Sequence, residues 1–336
     1  MAAFAKRATG WRAQVAINGV RSSKIFATKA EATSWAAARE TEIRLEATTG
    51  VQRGRTVDDA FRRYEKEVSV HKKTKRAEGV RLAALGKMEI GGVKLADMKL
   101  ADVTPAVLGA WRDQRLLTVA GSSVNRDLNM LSHVFSTAVK EWKWIAKSPT
   151  SDVRRPKNPP PRDRLYTQDE VDRLCLALGL DVDQVDQVKT KYEQVAIAFL
   201  FAIETAMRAG EICGFKPAHV SGRVVKLPPE LTKNGHSRSV PLSTAALALL
   251  KRLPAPGDKG TVFDLTSASL DAIFRKVRER AAVAEATFHD TRHLAITRLS
   301  KKIDVLDLAR MVGHRDLKQL MVYYNEHAET TAARLD

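Results

Sequence analysis

The sequence predicts a multidomain protein of the α+β class, mainly α-helical with small β elements, and three observations lead to this prediction. The chain has 336 residues, enough for two or three domains with their own cores. Apolar residues recur mostly at helical spacing, whereas strand-like alternation is confined to short stretches. Two polar segments, 48–55 and 149–164, interrupt both patterns. We therefore expect domains at 1–50, 56–148 and 165–336, with 149–164 as the interdomain linker.

The first domain, residues 1–50, is predicted to contain short strands followed by one helix. Alternating segments on either side of Asn18-Gly19 indicate a β-hairpin, because this dipeptide readily adopts the positive φ angles of a tight turn. The stretch 29–46, rich in alanine and charged residues, has a strongly helical pattern. A small sheet with one helix is the expected result.

The second domain, residues 56–148, is predicted to be a bundle of four helices without strands. Thr104-Pro105 is a favourable helix start, since a capping hydroxyl precedes a proline at the first helical position. The linker that follows holds five of the chain's 12 prolines, which prevent both helix and sheet from continuing. The four amphipathic patterns cover residues 57–68, 75–88, 104–116 and 123–144.

Positive charge is concentrated in the first half of the chain. The formal net charge is +17; residues 1–164 carry 32 Lys and Arg against 17 Asp and Glu, whereas residues 165–336 carry 24 against 22. Such an excess favours a nucleic-acid partner and steeply salt-dependent binding, although any single cation could equally belong to a solvated helix face. The candidate phosphate contacts are Lys72, Lys73, Lys75, Arg76 and Arg126.

Cysteine usage and hydropathy predict a soluble protein that is not secreted, which for a bacterial or phage protein means a location in the cytoplasm, where the charge excess favours association with DNA. The two cysteines, Cys175 and Cys213, lack metal-like spacing and fall in apolar helical patterns, so we expect buried, reduced thiols. The amino terminus has no secretory apolar segment, and no window approaches the roughly 18 apolar residues of a membrane span.

The third domain, residues 165–336, opens with a capping box at Thr167 and Glu170. An almost wholly apolar and therefore buried helix follows, and Arg208 stands at its end with Glu211 three residues further on, in a position to orient the guanidinium. Two short strand patterns then flank Lys233-Asn234-Gly235, which predicts a hairpin with Lys233 near its tip.

The richest chemistry lies between residues 288 and 324. His289 and Arg292 are three residues apart, so on a helix both project from nearly the same face and could hold one phosphate together. His314 follows Gly313, which has the position of a helix-ending residue. Tyr323 comes nine residues after His314, and its phenol could attack phosphorus to form a phosphodiester.

These residues resemble the active-site pattern of the tyrosine recombinases, the phage integrase family. The pattern is an arginine in T-x-x-R-x-x-E, a hairpin lysine, H-x-x-R, G-H and a tyrosine nine residues after that histidine. The resemblance implies an arm-type DNA-binding domain at 1–50, a helical core-binding domain at 56–148 and a mixed α/β catalytic domain at 165–336. The matching residues are Arg208, Lys233, His289, Arg292, His314 and Tyr323.

The resemblance also implies a role for each residue. Tyr323 would form a 3′-phosphotyrosine link and release a 5′-hydroxyl, with Lys233 as the general acid. Arg208 and Arg292 would neutralise the negative charge of the transition state. His289 and His314 would donate hydrogen bonds to it. No cofactor or metal is implied. The expected partners are double-stranded attachment-site DNA, three further protomers that complete a tetramer, and accessory DNA-bending or excision proteins. The tail after Tyr324 could dock on a neighbouring protomer.

Several alternatives stay open at this point. Tyr324 could be the nucleophile in place of Tyr323, although the spacing favours Tyr323. His289 and His293 look like a metalloprotease motif, but Asp290 stands where glutamate is required, and we interpret His293 as structural. A site-specific invertase or resolvase, a type IB topoisomerase and a non-catalytic DNA-binding protein are the rival functions, with phage or mobile-element integration and excision preferred.

Overall fold

A computed structural model describes residues 2–17, 19–49, 54–160, 164–181, 187–257, 260–314, 316–321 and 323–324. The chain divides into two compact units, residues 1–161 and 162–336. Asn18, parts of both expected linkers and the tail after Tyr324 lie outside the described residues. The finer division of the first unit into two domains stays a prediction.

The first unit begins with a three-stranded antiparallel sheet in the order β1-β2-β3. The predicted hairpin is confirmed, because β2 and β3 pair with Ile17 opposite Val20. The first strand was not predicted: five of its six residues are exposed, so it shows no alternation of apolar and polar positions. Side chains of the sheet and the following helix form a small core. The elements are β1 (Ala2–Arg7), β2 (Gly10–Ile17), β3 (Val20–Phe26) and α1 (Lys29–Thr49).

The remainder of the first unit contains the four predicted helices around a core of its own. Thr104 caps the third of them through a hydrogen bond from the Val107 amide, as expected. Two details were wrong. A short hairpin separates the second and third helices, and the fourth helix ends before Trp144, because Lys143 adopts a left-handed φ of 56°. The elements are α2 (Val57–Glu67), α3 (Lys75–Gly86), β4 (Glu89–Ile90), β5 (Val93–Lys94), α4 (Pro105–Leu116) and α5 (Gly121–Lys140).

The second unit is mainly helical and carries one small antiparallel sheet in the order β6-β7-β8. The capping box at Thr167 and Glu170 is present, and the predicted hairpin is confirmed, with Leu227 opposite Arg238. Its elements are α6 (Gln168–Ala177), α7 (Lys191–Thr205), α8 (Ala209–Ile212), β6 (Val220–Ser221), β7 (Val224–Leu227), β8 (Arg238–Pro241), α9 (Thr244–Lys251), α10 (Ser267–Arg280), α11 (Asp290–Leu299), α12 (Val305–Val312) and α13 (Lys318–Met321).

Helix α7 lies at the centre of this unit. Ten of its 15 residues are buried, which agrees with its almost continuous apolar sequence. Cys175 and Cys213 are also buried, and burial raises the pKa of their thiols to about 12 and about 11, respectively. In the part of the chain that the structure describes, no helix is long and apolar enough to cross a membrane.

Candidate active site

Arg208 is placed by the abrupt end of helix α7. Ala206 adopts a left-handed conformation with φ of 54°, which ends the helix and turns the chain towards α8. Arg208 is the N-cap residue of α8, and its amide donates a hydrogen bond of 2.8 Å to Glu211 Oε2. Its Nη1 lies 3.2 Å from Glu211 Oε1, so the contact expected between these residues is present.

Glu211 is a buried carboxylate that joins two arginines. Besides Arg208, it accepts two hydrogen bonds of 2.6 Å from the guanidinium of Arg238. Burial by itself would raise the pKa of Glu211, but the hydrogen bonds and the charge of Arg238 outweigh it and hold the pKa below its ordinary value. Glu211 is therefore ionised at neutral pH and fixes both guanidinium groups.

Arg292 is the most deeply buried cation of the site, with 4% of its surface exposed. It lies in the first turn of α11 and donates hydrogen bonds to the carbonyls of Ala206 and Val312, the latter at 2.7 Å. Its Nη2 is 3.2 Å from His314 Nε2. Burial, followed by the charge of Arg208, lowers the pKa of Arg292 to about 9, so the guanidinium keeps its charge at neutral pH.

His314 lies directly after Gly313, which ends α12 with φ of 71° as the sequence predicts. Burial, with the charges of Arg292 and Arg208 in addition, lowers the pKa of His314 to about 4, so the imidazole is neutral at pH 7. Because Arg292 donates to Nε2, the ring proton is assigned to Nδ1. This Nδ1 is buried and has no hydrogen-bond partner among the described residues, which makes it an available donor.

His289 precedes α11 as its N-cap residue. Burial and then the charge of Arg292 lower its pKa, so His289 also favours the neutral form. It lines a small cleft of about 190 Å³ together with Arg208 and Arg292. The predicted pair of a histidine and an arginine thus faces one cavity.

A second cleft, of about 340 Å³, contains Lys233. This residue is exposed on the loop between β7 and β8, and the same cleft is lined by Arg208, Arg238 and His314. Arg208 lines both clefts, so the predicted lysine, histidines and arginines gather around its guanidinium. Such a group of cations and neutral donors is suited to an anion with several oxygens, such as a phosphodiester.

The two tyrosines occupy different environments. The Tyr323 hydroxyl is 2.7 Å from His293 Nδ1, and Tyr323 is close enough to Arg292 to influence its pKa. The Tyr324 hydroxyl instead donates a 2.9 Å hydrogen bond to the carbonyl of Ile303, and burial raises its pKa. Tyr323 is therefore directed towards the cationic site, whereas Tyr324 is bound to backbone.

Two residues of this arrangement were not assigned to the site from sequence. His293 was noticed only as the i+4 neighbour of His289 and interpreted as structural; its Nδ1 lies 2.7 Å from the Tyr323 hydroxyl. Arg238 was overlooked in the strand that follows the Lys233 loop. Its Nε also donates 2.9 Å to the Met311 carbonyl, so it joins β8 to α12. No local pattern in the sequence distinguishes Arg238 from an arginine on a solvent-facing strand, because its partner Glu211 lies 27 residues away.

The candidate DNA contacts of the first unit are arranged differently. Lys73, Lys75, Arg76 and Arg126 are exposed. Lys72 lies with its Nζ 2.9 Å from the Tyr64 hydroxyl and 3.1 Å from Glu78, so its charge is compensated within the unit. Their binding to DNA stays a prediction.

Within the described ranges, no group of three or more His, Cys, Asp or Glu side chains could hold a metal ion. His289 and His293 approach with ring centroids 6.0 Å apart, and the latter is hydrogen-bonded to Tyr323.

Comparisons with known proteins identify the family and the fold. The sequence model of the phage integrase family matches residues 166–330. A Haemophilus influenzae protein named as a candidate integrase/recombinase is 38% identical over 96% of this chain and 87% of its own length. The shufflon-specific DNA recombinase of Escherichia coli is 32% identical over 82% of this chain and 71% of its own. A lambda integrase tetramer bound to a Holliday junction superposes with a TM-score of 0.62 and 18% identity, covering 94% of both chains.

Proposed function

Because the chain belongs to the phage integrase family of tyrosine recombinases, whose enzymes act on DNA, we propose that it cuts and rejoins DNA at specific sites through a 3′-phosphotyrosine intermediate. Integration and excision of a phage or other mobile element is the biological reaction that we assign to it. The observation that carries the proposal is the placement of Tyr323, rather than Tyr324, against His293 and close enough to Arg292 to influence its charge.

The proposed nucleophile is Tyr323, whose oxygen bonds to phosphorus while the bond from phosphorus to the 5′ oxygen breaks. Arg208 and Arg292 neutralise the charge that develops on the phosphoryl oxygens, and they act strongly because they are fixed before the substrate arrives. His289 and the Nδ1–H of His314 donate hydrogen bonds to the same oxygens. Glu211 holds Arg208 in position, with Arg238 as the second arginine that fixes the carboxylate.

Lys233 is the proposed general acid. Its exposed position on a loop at the rim of the 340 Å³ cleft allows the ammonium to approach a leaving 5′ oxygen, which would otherwise depart as a poor alkoxide. The reaction conserves the energy of the broken bond in the protein link, so rejoining requires no nucleotide cofactor.

The partners follow from the same proposal. Double-stranded attachment-site DNA is the substrate, and the lambda integrase tetramer on a Holliday junction supports a tetramer as the active assembly. In this assignment residues 1–50 bind arm-type sites and residues 56–148 bind the core site. The exposed cations Lys73, Lys75, Arg76 and Arg126 contact phosphates. We further propose that accessory DNA-bending or excision proteins assist the reaction, and that the protein is located on DNA in the bacterial host cell.

A suicide duplex tests the cleavage chemistry. A nick close to the cleavage site lets the leaving fragment diffuse away, and a covalent protein–DNA adduct is then visible on a denaturing gel. DNA flanking the gene supplies the candidate sites. We expect an adduct from the unaltered protein and from Tyr324→Phe, and none from Tyr323→Phe. Tight binding of a cognate site without any adduct would contradict the proposal.

A site-specific invertase of the same family is the second candidate. The relative named for a shufflon, at 32% identity, is the observation that favours it. A plasmid carrying two candidate sites in inverted orientation distinguishes the two functions. Integration and excision predict recombination between phage-type and host-type sites, whereas an invertase reverses the segment between its two sites.

A further inference from the structure

The contact between Tyr323 and His293 is direct and short. The phenol oxygen lies 2.7 Å from Nδ1 of His293, and the two rings are inclined by 43° with centroids 6.2 Å apart. From the proposed cleavage reaction, on which this inference rests, the geometry points to His293 as the catalytic residue that accepts the proton of Tyr323.

The proposed proton transfer requires that the phenol donate this hydrogen bond to His293 Nδ1. A phenol that attacks phosphorus must lose its proton as the new bond forms. A neutral imidazole has one nitrogen that accepts and one that donates. When the phenol donates to Nδ1, the ring proton of His293 is on Nε2, and Nδ1 is the basic atom that faces the nucleophile.

His289 is the other histidine on this side of α11, but its surroundings suit a different task. Burial, Arg292 and the neighbouring His293 all lower the pKa of His289, which weakens it as a proton acceptor. It lines the cleft shared by Arg208 and Arg292, where the phosphoryl oxygens would lie. The two rings are nearly perpendicular, at 85°. Hydrogen-bond donation to phosphate by His289 and proton acceptance by His293 are therefore separate roles.

Packing holds the pair in place. His293 lies one helical turn beyond His289 on α11, and Tyr323 and Tyr324 pack against an apolar cluster that includes Ala295 and Ile296 from the same helix. The hydrogen bond from Tyr324 to the Ile303 carbonyl fixes the turn in which both tyrosines lie. The nucleophile and its proton acceptor are thus oriented before DNA binds, which lowers the entropic cost of reaching the transition state.

The proposed step balances as follows. The Tyr323 oxygen forms a bond to phosphorus, its proton passes to His293 Nδ1, and the bond between phosphorus and the 5′ oxygen breaks. Lys233 gives a proton to that leaving oxygen. In the rejoining step, a 5′-hydroxyl bonds to phosphorus and gives its proton to the neutral amine of Lys233. The bond between phosphorus and Tyr323 breaks, and the imidazolium of His293 returns its proton to the leaving tyrosine oxygen. General base catalysis of this kind contributes about 10²- to 10⁴-fold to a rate.

Two substitutions separate the basicity of His293 from its shape. His293→Asn puts an amide oxygen near the position of Nδ1, which accepts a hydrogen bond but is not basic, and His293→Ala removes the acceptor altogether. The matched control is His219→Asn, because Nδ1 of this partly exposed histidine also accepts one hydrogen bond, from the Lys216 amide. We expect single-turnover adduct formation on the suicide duplex to slow at least about 100-fold in both His293 variants and to be unchanged in the control.

Added imidazole provides a readout that a structural role would not affect. His293 is partly exposed, so a small base can reach the vacated space in His293→Ala. We expect imidazole to restore adduct formation in proportion to its concentration, without changing the affinity for the duplex measured by fluorescence anisotropy. If His293→Ala lost duplex affinity together with the rate of adduct formation, and imidazole restored neither, His293 would be only a packing residue. That result would overturn the inference.

A duplex with a bridging 5′ sulfur at the cleavage position tests whether His293 exchanges its proton with the Tyr323 oxygen or with the leaving 5′ oxygen. A thiolate leaves without protonation, since an ordinary thiol has a pKa near 8.5. This substrate should rescue Lys233→Ala but not His293→Ala. Rescue of His293→Ala, or faster cleavage by it on the ordinary duplex, would overturn the inference. Absence of any adduct from the unaltered protein would instead contradict the proposed function.

Discussion

The two units of the molecule use positive charge in different ways. Residues 1–161 carry 30 Lys and Arg against 16 acidic residues, and several of these cations are exposed along α3 and α5. Residues 162–336 are almost neutral, with 26 against 23, yet they contain Arg208, Arg238 and Arg292 around a single carboxylate. Abundant exposed charge attracts a polyanion, whereas fixed and partly desolvated charge stabilises one particular anion.

The difference lies in what holds each cation. In the second unit, backbone carbonyls, Glu211 and His314 fix the guanidinium groups. Arg208, Arg238 and Arg292 exceed Glu211 by two positive charges, an excess that a bound phosphodiester would reduce. In the first unit, Lys72 is neutralised internally by Glu78, and Lys75 extends from the surface. Net charge alone therefore does not locate the catalytic centre.

The largest effect is expected from Arg292. A lysine at this position cannot donate to the carbonyls of Ala206 and Val312 and face His314 at the same time, since it lacks the planar guanidinium. We expect Arg292→Lys to lower single-turnover adduct formation about 1,000-fold while binding of the duplex is retained. The control is Arg298→Lys on the same helix, an exposed arginine paired with Glu204. Equal losses in both variants would refute a special role for the fixed charge.

Glu211 tests whether the fixed cations depend on their shared carboxylate. Glu211→Gln keeps the shape but leaves Arg208 and Arg238 without their negative partner, and we expect it to destabilise the second unit by about 3 kcal/mol. Asp169→Asn, at an exposed pair with Arg173, should cost less than about 1 kcal/mol.

The choice of probe matters for this measurement. All five tryptophans lie within residues 1–161, so tryptophan fluorescence does not report on the second unit. Hydrogen exchange, followed by mass spectrometry of peptides from α7 and α11, reports on the stability of the second unit directly. Unaltered protection in Glu211→Gln would mean that the arginines are held independently of the carboxylate.

Acidification should weaken the same region through His314. Burial lowers the pKa of His314 to about 4 in the folded chain, against an ordinary value near 6.5 when unfolded. Between these values the unfolded state binds more protons, so the free energy of unfolding falls as pH decreases from about 6.5 towards 4. His289, with its lowered pKa, adds to the effect. The slope should be smaller in His314→Gln, measured by exchange protection of α12, and an identical slope would contradict this account.

The sequence predicted the local parts of the site well. Gly313 ends α12, the capping box at Thr167 and Glu170 forms and the hairpin around Lys233 is present, because each depends on residues close together in the chain. The contacts of Arg238 with Glu211 and of His293 with Tyr323 span 27 and 30 residues, and no local pattern encodes them. They arise only when β8 and the turn after α13 pack on the rest of the unit.

The same limitation explains the small errors in the fold. Strand β1 has no alternating apolar pattern because five of its residues are exposed, and its existence depends on pairing with β2. Helix α5 ends at Lys140 although helical periodicity continues to Trp144. Trp142 and Trp144 are buried in the core of the first unit, so tertiary packing decides where the helix ends.

The smallest expected effect compares two lysines of the first unit. Exposed Lys75, if it contacts one phosphate, adds about 0.9 to the slope of log affinity against log salt, and Lys75→Gln should remove that amount. Lys72→Gln should leave the slope unchanged, because the Lys72 ammonium is held by Glu78 and the Tyr64 hydroxyl. Fluorescence anisotropy with a cognate duplex between about 50 and 200 mM salt measures both slopes. Equal losses would mean that the first unit attracts DNA through its total charge, and the distinction between paired and exposed cations would then not apply there.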